Sequence, residues 1–120
     1  MKSLFEIKAE DVATTDIISC TPEESLSKIK KKMGDHNLIA MPVVENQKFK
    51  GMIGYRDLIE KIHVDPTNIS AESLMHQPPK VEKEMSLVKV ACLRRDSGRK
   101  KSVILEGNRL VGIISEKNMV

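Results

Sequence analysis

The sequence predicts a mixed α/β (α+β) fold in which two β-α-β-β-α repeats pack around a pseudo-twofold axis, with small sheets flanked by helices. Three observations point to it. First, the chain says nearly the same thing twice. Gly51 and Gly112 are 61 residues apart (112 − 51 = 61). The same offset carries Ser25-Leu26 onto Ser86-Leu87, Lys28 onto Lys89, Asp35 onto Asp96, Glu45 onto Glu106 and Ile53 onto Ile114. Second, within each copy the apolar residues alternate between helical spacing and short continuous runs of strand type. Third, apolar residues make up 40% of the chain but aromatics only 2%, with no Trp, so the core is aliphatic and the seven Met fill its irregular gaps.

The elements follow in order. Ile17-Ile18 read as a short first strand. "TPEE" at 21–24 reads as a capping box with Pro at the first helical position. Leu26, Ile29 and Met33 then recur at helical spacing, and Gly34 marks the stop. "AMPVV" at 40–44 and "FKGMI" at 49–53 pair as strands across a turn at Glu45-Asn46-Gln47. A closing helix runs from Tyr55 to Ile62, with Leu58, Ile59 and Ile62 facing inward. The second copy places a helix around 86–95, strands at "SVIL" (102–105) and "RLVGII" (109–114), and a turn at Glu106-Gly107-Asn108. Upstream, "AEDV" at 9–12 matches "AESL" at 71–74 after a one-residue adjustment. The expected organisation is residues 1–62 as an N-terminal segment plus the first repeat, 63–70 as a linker and 71–120 as the second repeat, together one module. In the second copy Met119 and Val120 stand for Leu58 and Ile59, so the closing helix has about one turn, too short to hold by itself. Asn118 is therefore expected to be loosely positioned, and the natural protein to continue.

Composition excludes several classes of function. A net charge of +3 with 31% charged residues is too balanced to imply nucleic acid. The basic run "RRDSGRKKS" at 94–102 also lacks the interleaved aromatics of single-strand binders. The longest apolar run, 38–44, is far below the ~18 residues of a membrane span. The N-terminus has acidic residues where a signal peptide needs an apolar core. A soluble, cytoplasmic protein without membrane insertion is expected. Cys20 and Cys92 read as reduced, half-buried thiols, and His36, His63 and His76 lack ligand spacing, so no metal is expected. No nucleophile–base pair, phosphate loop or paired acid/base constellation is present, which argues against an enzyme.

The polar residues of interest sit where the last strand of each copy turns into its closing helix, "GMIGYRDLIE" (51–60) and "GIISEKNMV" (112–120). A helix start offers unpaired N–H groups, and a carboxylate in the first turn can accept from vicinal hydroxyls. Gly54 lets a ligand approach the backbone. Two readings of Asp57 stand side by side: a reader of hydroxyls, or a stabiliser of its own helix dipole.

The two corners, each following a strand of LPVV type ("MPVV", "SVIL"), resemble the signature of the CBS (cystathionine β-synthase) domain. Two in tandem resemble a CBS pair, or Bateman module, over essentially the whole chain from about residue 9. The resemblance implies a regulatory module that senses an adenosine-containing ligand (AMP, ADP, ATP or a related adenosyl compound) in the inter-repeat cleft. It would control a partner protein or a missing domain and form a homodimer, with the nucleotide as regulatory ligand and no other cofactor. By the same resemblance Asp57 holds the ribose, with Gly54 where Thr is usual, and Ile17 and Ile18 bracket the adenine. Lys100 and Lys101 either reach the phosphate or sit on a solvated loop, Lys117 is a further phosphate candidate, and Tyr55 either stacks on the base or shields the corner. A second, weaker site would use Ser115, Asn118 in place of the acid, and Arg56. The alternative is a dimerisation or scaffold module whose sites have decayed.

Overall fold

Both long helices begin at a serine whose Oγ accepts the backbone N–H three residues on, Ser25 from Lys28 and Ser86 from Lys89, each at 3.3 Å. The structure, a computed structural model, describes residues 3, 5–61, 68–98, 100–115 and 118. In chain order its elements are α1 (Ala9–Val12), α2 (Leu26–Asp35), β1 (Ala40–Glu45), β2 (Lys48–Gly54), α3 (Tyr55–Glu60), α4 (Ala71–Leu74), β3 (Lys80–Val81), α5 (Leu87–Ser97), β4 (Lys101–Glu106) and β5 (Arg109–Ser115). The repeat is therefore real at the level of elements: serine caps and both strands of each hairpin recur at the expected offset.

The chain divides into two compact units, residues 18–77 and residues 1–17 with 78–120. In the first, β1 and β2 form an antiparallel hairpin with Met41 opposite Ile53 and an irregularity between Val43 and Val44. Its turn needs two left-handed residues, Asn46 (φ 51°) and Gln47 (φ 67°). The core gathers Leu26, Ile29 and Met33 of α2 with Met41, Val43 and Ile53 of the hairpin, and Ala71 and Leu74 of α4. In the second unit β4 and β5 pair with Val103 opposite Ile113 and the same irregularity between Ile104 and Leu105, while β3 adds in parallel to β4. Here Val90, Ile104 and Ile114 pack with Val81 and with Ala9 of α1.

These packing units are bounded differently from the sequence repeats. Residues 71–77, expected as the start of the second repeat, pack with the first, and residues 1–17 pack with the second. Backbone hydrogen bonds are the reason. The Leu26 N–H donates to Ile69 O (2.9 Å), the Ala71 N–H to Glu24 O (2.8 Å), and Met52 and His76 exchange both of theirs (2.9 and 2.8 Å). In the other unit the Leu87 N–H donates to Ile7 O (2.8 Å), the Ala9 N–H to Met85 O (2.8 Å), and Thr14 and Ile113 exchange theirs (2.8 and 3.0 Å). Most of the expected linker, 62–67, lies outside the described residues.

Other expectations shift by a turn or a face. No strand forms at Ile17-Ile18; the parallel bridge is made by Cys20 with Val43. The "TPEE" segment closes a turn of its own, the Thr21 N–H donating to Glu24 Oε2 (2.6 Å), and the helix waits for Ser25. Pairing of Ser25 with Ser70 keeps Ser25 extended and delays the start. Gly34 stays helical, and the chain leaves α2 through His36 and left-handed Asn37 (φ 55°). On α3, Leu58 packs against the core but Ile59 is 64% exposed, and Ile62 lies outside the described residues.

Neither thiol is half-buried: Cys20 is buried and Cys92 exposed. Burial, reinforced by Glu24, pushes the Cys20 thiol up to about 11, so it stays protonated near neutral pH. Burial would raise Glu24 as well. The Lys32 Nζ hydrogen bond (2.9 Å) and the Thr21 N–H outweigh it and hold that carboxyl below its usual range. No helix among the described residues is long and apolar enough to cross a membrane.

The repeat glycines Gly51 and Gly112 are close-approach positions. A methyl group on Gly51 would come within 2.7 Å of Met75 Sδ, and one on Gly112 within 3.0 Å of Ala13 Cβ. The Met75 side chain crowds Gly51 along its length, Cγ at 2.9 Å and Cβ at 3.0 Å as well as Sδ, and only its tip can swing away. Gly51→Ala and Gly112→Ala should each destabilise by about 1–3 kcal/mol, read as a drop in thermal midpoint, with Gly51→Ala the larger of the two because three Met75 atoms lie within 3.0 Å.

Candidate functional site

In the unit of residues 18–77, β2 runs through buried Met52 and Ile53 to Gly54, whose N–H would otherwise be an orphan at the start of α3. Asp57, three residues on, takes that bond on Oδ2 at 2.7 Å. The same oxygen lies 2.8 Å from His76 Nδ1. A carboxylate oxygen only accepts, so Nδ1 carries the shared hydrogen. Both side chains are mostly buried, 13% exposed for Asp57 and 19% for His76. The dipole reading of Asp57 is thus partly met, since the carboxylate does cap its own helix. No described residue, however, donates to its second oxygen, Oδ1. Gly54 is not required by crowding: the nearest atom to a methyl there is Asp57 Oδ2 at 3.7 Å. Tyr55 and Arg56, on the first turn of α3, are exposed. Ile18 is half-buried beside the core of this unit.

In the other unit β5 ends at Ser115, which is buried. Asn118 Oδ1 accepts from both the Ser115 N–H (2.8 Å) and the Ser115 Oγ (2.7 Å), and its Nδ2 donates to Val12 O (2.9 Å). Asn118 is therefore firmly tethered, against the expectation of a loosely positioned residue; its partners come from β5 and the end of α1 rather than from a long closing helix. Its acceptor oxygen already takes two hydrogen bonds, so a ligand hydroxyl would have to compete for it. Ile17 belongs to this unit and is half-buried. Lys100 is exposed, and Lys101, the first residue of β4, pairs with Ser115. Lys117, Met119 and Val120 lie outside the described residues. Within each unit the corner residues expected from the sequence do come together, Gly54 with Asp57 and Ser115 with Asn118.

Sequence reasoning missed His76. It stands 19 residues from Asp57, a separation without meaning until the Met52–His76 pairing forms. A signal existed: under the one-residue adjustment that matches "AEDV" to "AESL", His76 falls on Thr14, and both pair with the strand residue two before the corner. Among the described residues no group of three or more His, Cys, Asp or Glu gathers as metal ligands would.

The Asn118 tether makes a pH-dependent prediction. Asn118→Asp would set a carboxylate oxygen against the Val12 carbonyl where Nδ2 now donates, at a cost of about 1–3 kcal/mol at neutral pH. That unfavourable contact raises the folded-state pKa of the new carboxyl, so the lost stability returns as pH falls toward about 4, where the group protonates and can donate again. Thermal melts of variant and wild type at both pH values check this: the gap should narrow in acid.

Comparison with known proteins sets the fold beside its relatives. The chain is 30% identical to a zinc metalloprotease of Methanocaldococcus jannaschii over 121 residues, covering 100% of this chain and 33% of the relative. It is also 30% identical to an uncharacterized protein of Methanopyrus kandleri, covering 95% of this chain and 61% of that one. The chain thus spans between 33% and 61% of the length of these two relatives. Among solved structures, the CBS domain of a bacterial CNNM/CorC family Mg2+ transporter in complex with ATP superposes with a TM-score of 0.87 at 17% identity, covering 97% of this chain and 86% of that one. The fold is that of CBS domains, and a CBS domain is found at residues 9–64.

Proposed function

We propose that this chain is a regulatory ligand-binding module, a tandem CBS pair of Bateman type, that senses an adenosine-containing ligand and controls a partner protein or a domain outside these residues. The observation that carries the reading is the Asp57 corner. One carboxylate oxygen is held by Gly54 and His76, and the other has no donor from any described residue. Two lone pairs on a fixed oxygen suit the vicinal hydroxyls of a ribose. The ATP complex of a structural relative supports the choice of ligand class. The module acts by binding rather than by catalysis, as a homodimer, with Lys100, Lys101 and Lys117 as phosphate readers and Tyr55 against the base.

A second reading, a dimerisation scaffold with decayed sites, draws on the other corner. There Asn118 has replaced the acid and spends its acceptor on Ser115.

Calorimetry with adenosine, AMP, ADP and ATP separates the two. Removing a charge-assisted hydrogen bond costs about 1.5–3 kcal/mol, roughly ten- to a hundred-fold in affinity. Asp57→Ala should lose that much, and Asn118→Ala little. Binding of no adenosine compound by the wild type would leave the scaffold reading standing. The phosphate readers have their own test. Lys100→Ala with Lys101→Ala should weaken AMP or ATP and flatten its salt dependence while adenosine is nearly untouched. Equal loss for both ligands would make these lysines structural.

A further inference from the structure

We propose that His76 is the positioning residue of the Asp57 corner: it locks one carboxylate oxygen so that the other is presented, in fixed orientation, to the vicinal hydroxyls of a ribose. This rests on the reading of Asp57 as the hydroxyl acceptor. Three observations carry it. The backbone of His76 is itself immobilised, exchanging both hydrogen bonds with Met52, two residues before the corner (2.9 and 2.8 Å). Its neighbour Gln77 is pinned as well, Nε2 donating to Lys50 O at 2.6 Å. The imidazole is therefore aimed by the strand that delivers Gly54.

The second observation is convergence. The Gly54 N–H (2.7 Å) and His76 Nδ1 (2.8 Å) meet on the same atom, Oδ2, and neither addresses Oδ1. A carboxylate held from two directions cannot rotate to exchange its oxygens without breaking both bonds. The ordering that a ligand would otherwise impose is already present before it arrives.

The third is the internal comparison that the repeat supplies. At the other corner the position of His76 is taken by Thr14, with the same backbone exchange to Ile113 (2.8 and 3.0 Å). There Asn118 stands in place of the acid, its Oδ1 held by Ser115 and its Nδ2 by the Val12 carbonyl. The histidine thus accompanies the carboxylate, and where the carboxylate is gone Ser115 and a backbone carbonyl hold the amide instead. A histidine serving only to tie its own segment to β2 would not need to reach that oxygen, since Met52 already makes the tie.

The test uses the whole chain, with AMP and 2′-deoxy-AMP as probes in calorimetry. His76→Phe keeps a ring without the donor; His76→Asn keeps a donor near the place of Nδ1 without the ring. The wild type should prefer AMP to its 2′-deoxy form. His76→Phe should weaken AMP about ten-fold, the scale of one lost charged hydrogen bond, and shrink the AMP to 2′-deoxy-AMP ratio while changing 2′-deoxy-AMP little. His76→Asn should recover most of both the affinity and the ratio. If His76→Phe does not fold, His76→Ala replaces it in the same comparison. Wild-type affinity and ratio in the donor-less variant would overturn the proposal, as would equal loss of both probes without rescue by Asn. Should Asp57→Ala bind AMP as well as the wild type does, the reading of Asp57 fails and takes this one with it. Loss in Asp57→Ala with none in His76→Phe overturns the role of His76 alone.

Discussion

The mutual backbone hydrogen bonds between Met52 and His76, and their counterparts between Ile113 and Thr14, are the contacts on which the rest of each unit depends. A buried strand carries N–H and C=O groups that must be paired, because an unpaired one costs on the order of 1–3 kcal/mol. In both units that pairing is supplied by a segment that belongs, in sequence, to the approach of the other repeat. The short helix before it, α4 or α1, follows into place and buries Ala71 and Leu74 in one core and Ala9 in the other. Gly51 and Gly112 follow from the same geometry, since the pairing segment passes too close to the strand for a side chain to fit without displacement.

The same pairing sets what lies beside each corner. Where the segment brings His76, the carboxylate of Asp57 has a nitrogen partner on Oδ2, and no described residue donates to Oδ1. Where it brings Thr14, the corner residue is an amide. Asn118 both accepts and donates, satisfies itself on Ser115 and Val12, and closes the corner. Two copies of one backbone plan thus differ in polarity through a few side chains. An amide can complete a hydrogen-bond network with neutral backbone groups, whereas a carboxylate can only accept and needs donors.

This difference bears on how a module of this kind divides labour. A corner whose groups are mutually satisfied contributes rigidity, because opening it would strand buried polar atoms. A corner with an unused acceptor can take a ligand without that loss.

The sequence by itself determined the local plan. The offset of 61, the turn at Glu45-Asn46-Gln47 and the strand-to-helix corner at Gly54 were legible in the residues themselves. Asp57 was legible as a candidate reader from its place in the first turn of a helix, and Asn118 only through the resemblance of its corner to a family signature. Tertiary structure decided what acts over longer range. It delayed α2 from Thr21 to Ser25 by pairing Ser25 with Ser70, left no strand at Ile17-Ile18 but a parallel bridge at Cys20, and turned Ile59 outward. It brought His76 to Asp57 and Val12 to Asn118, contacts that no local propensity encodes because they exist only once a distant segment has completed the strand.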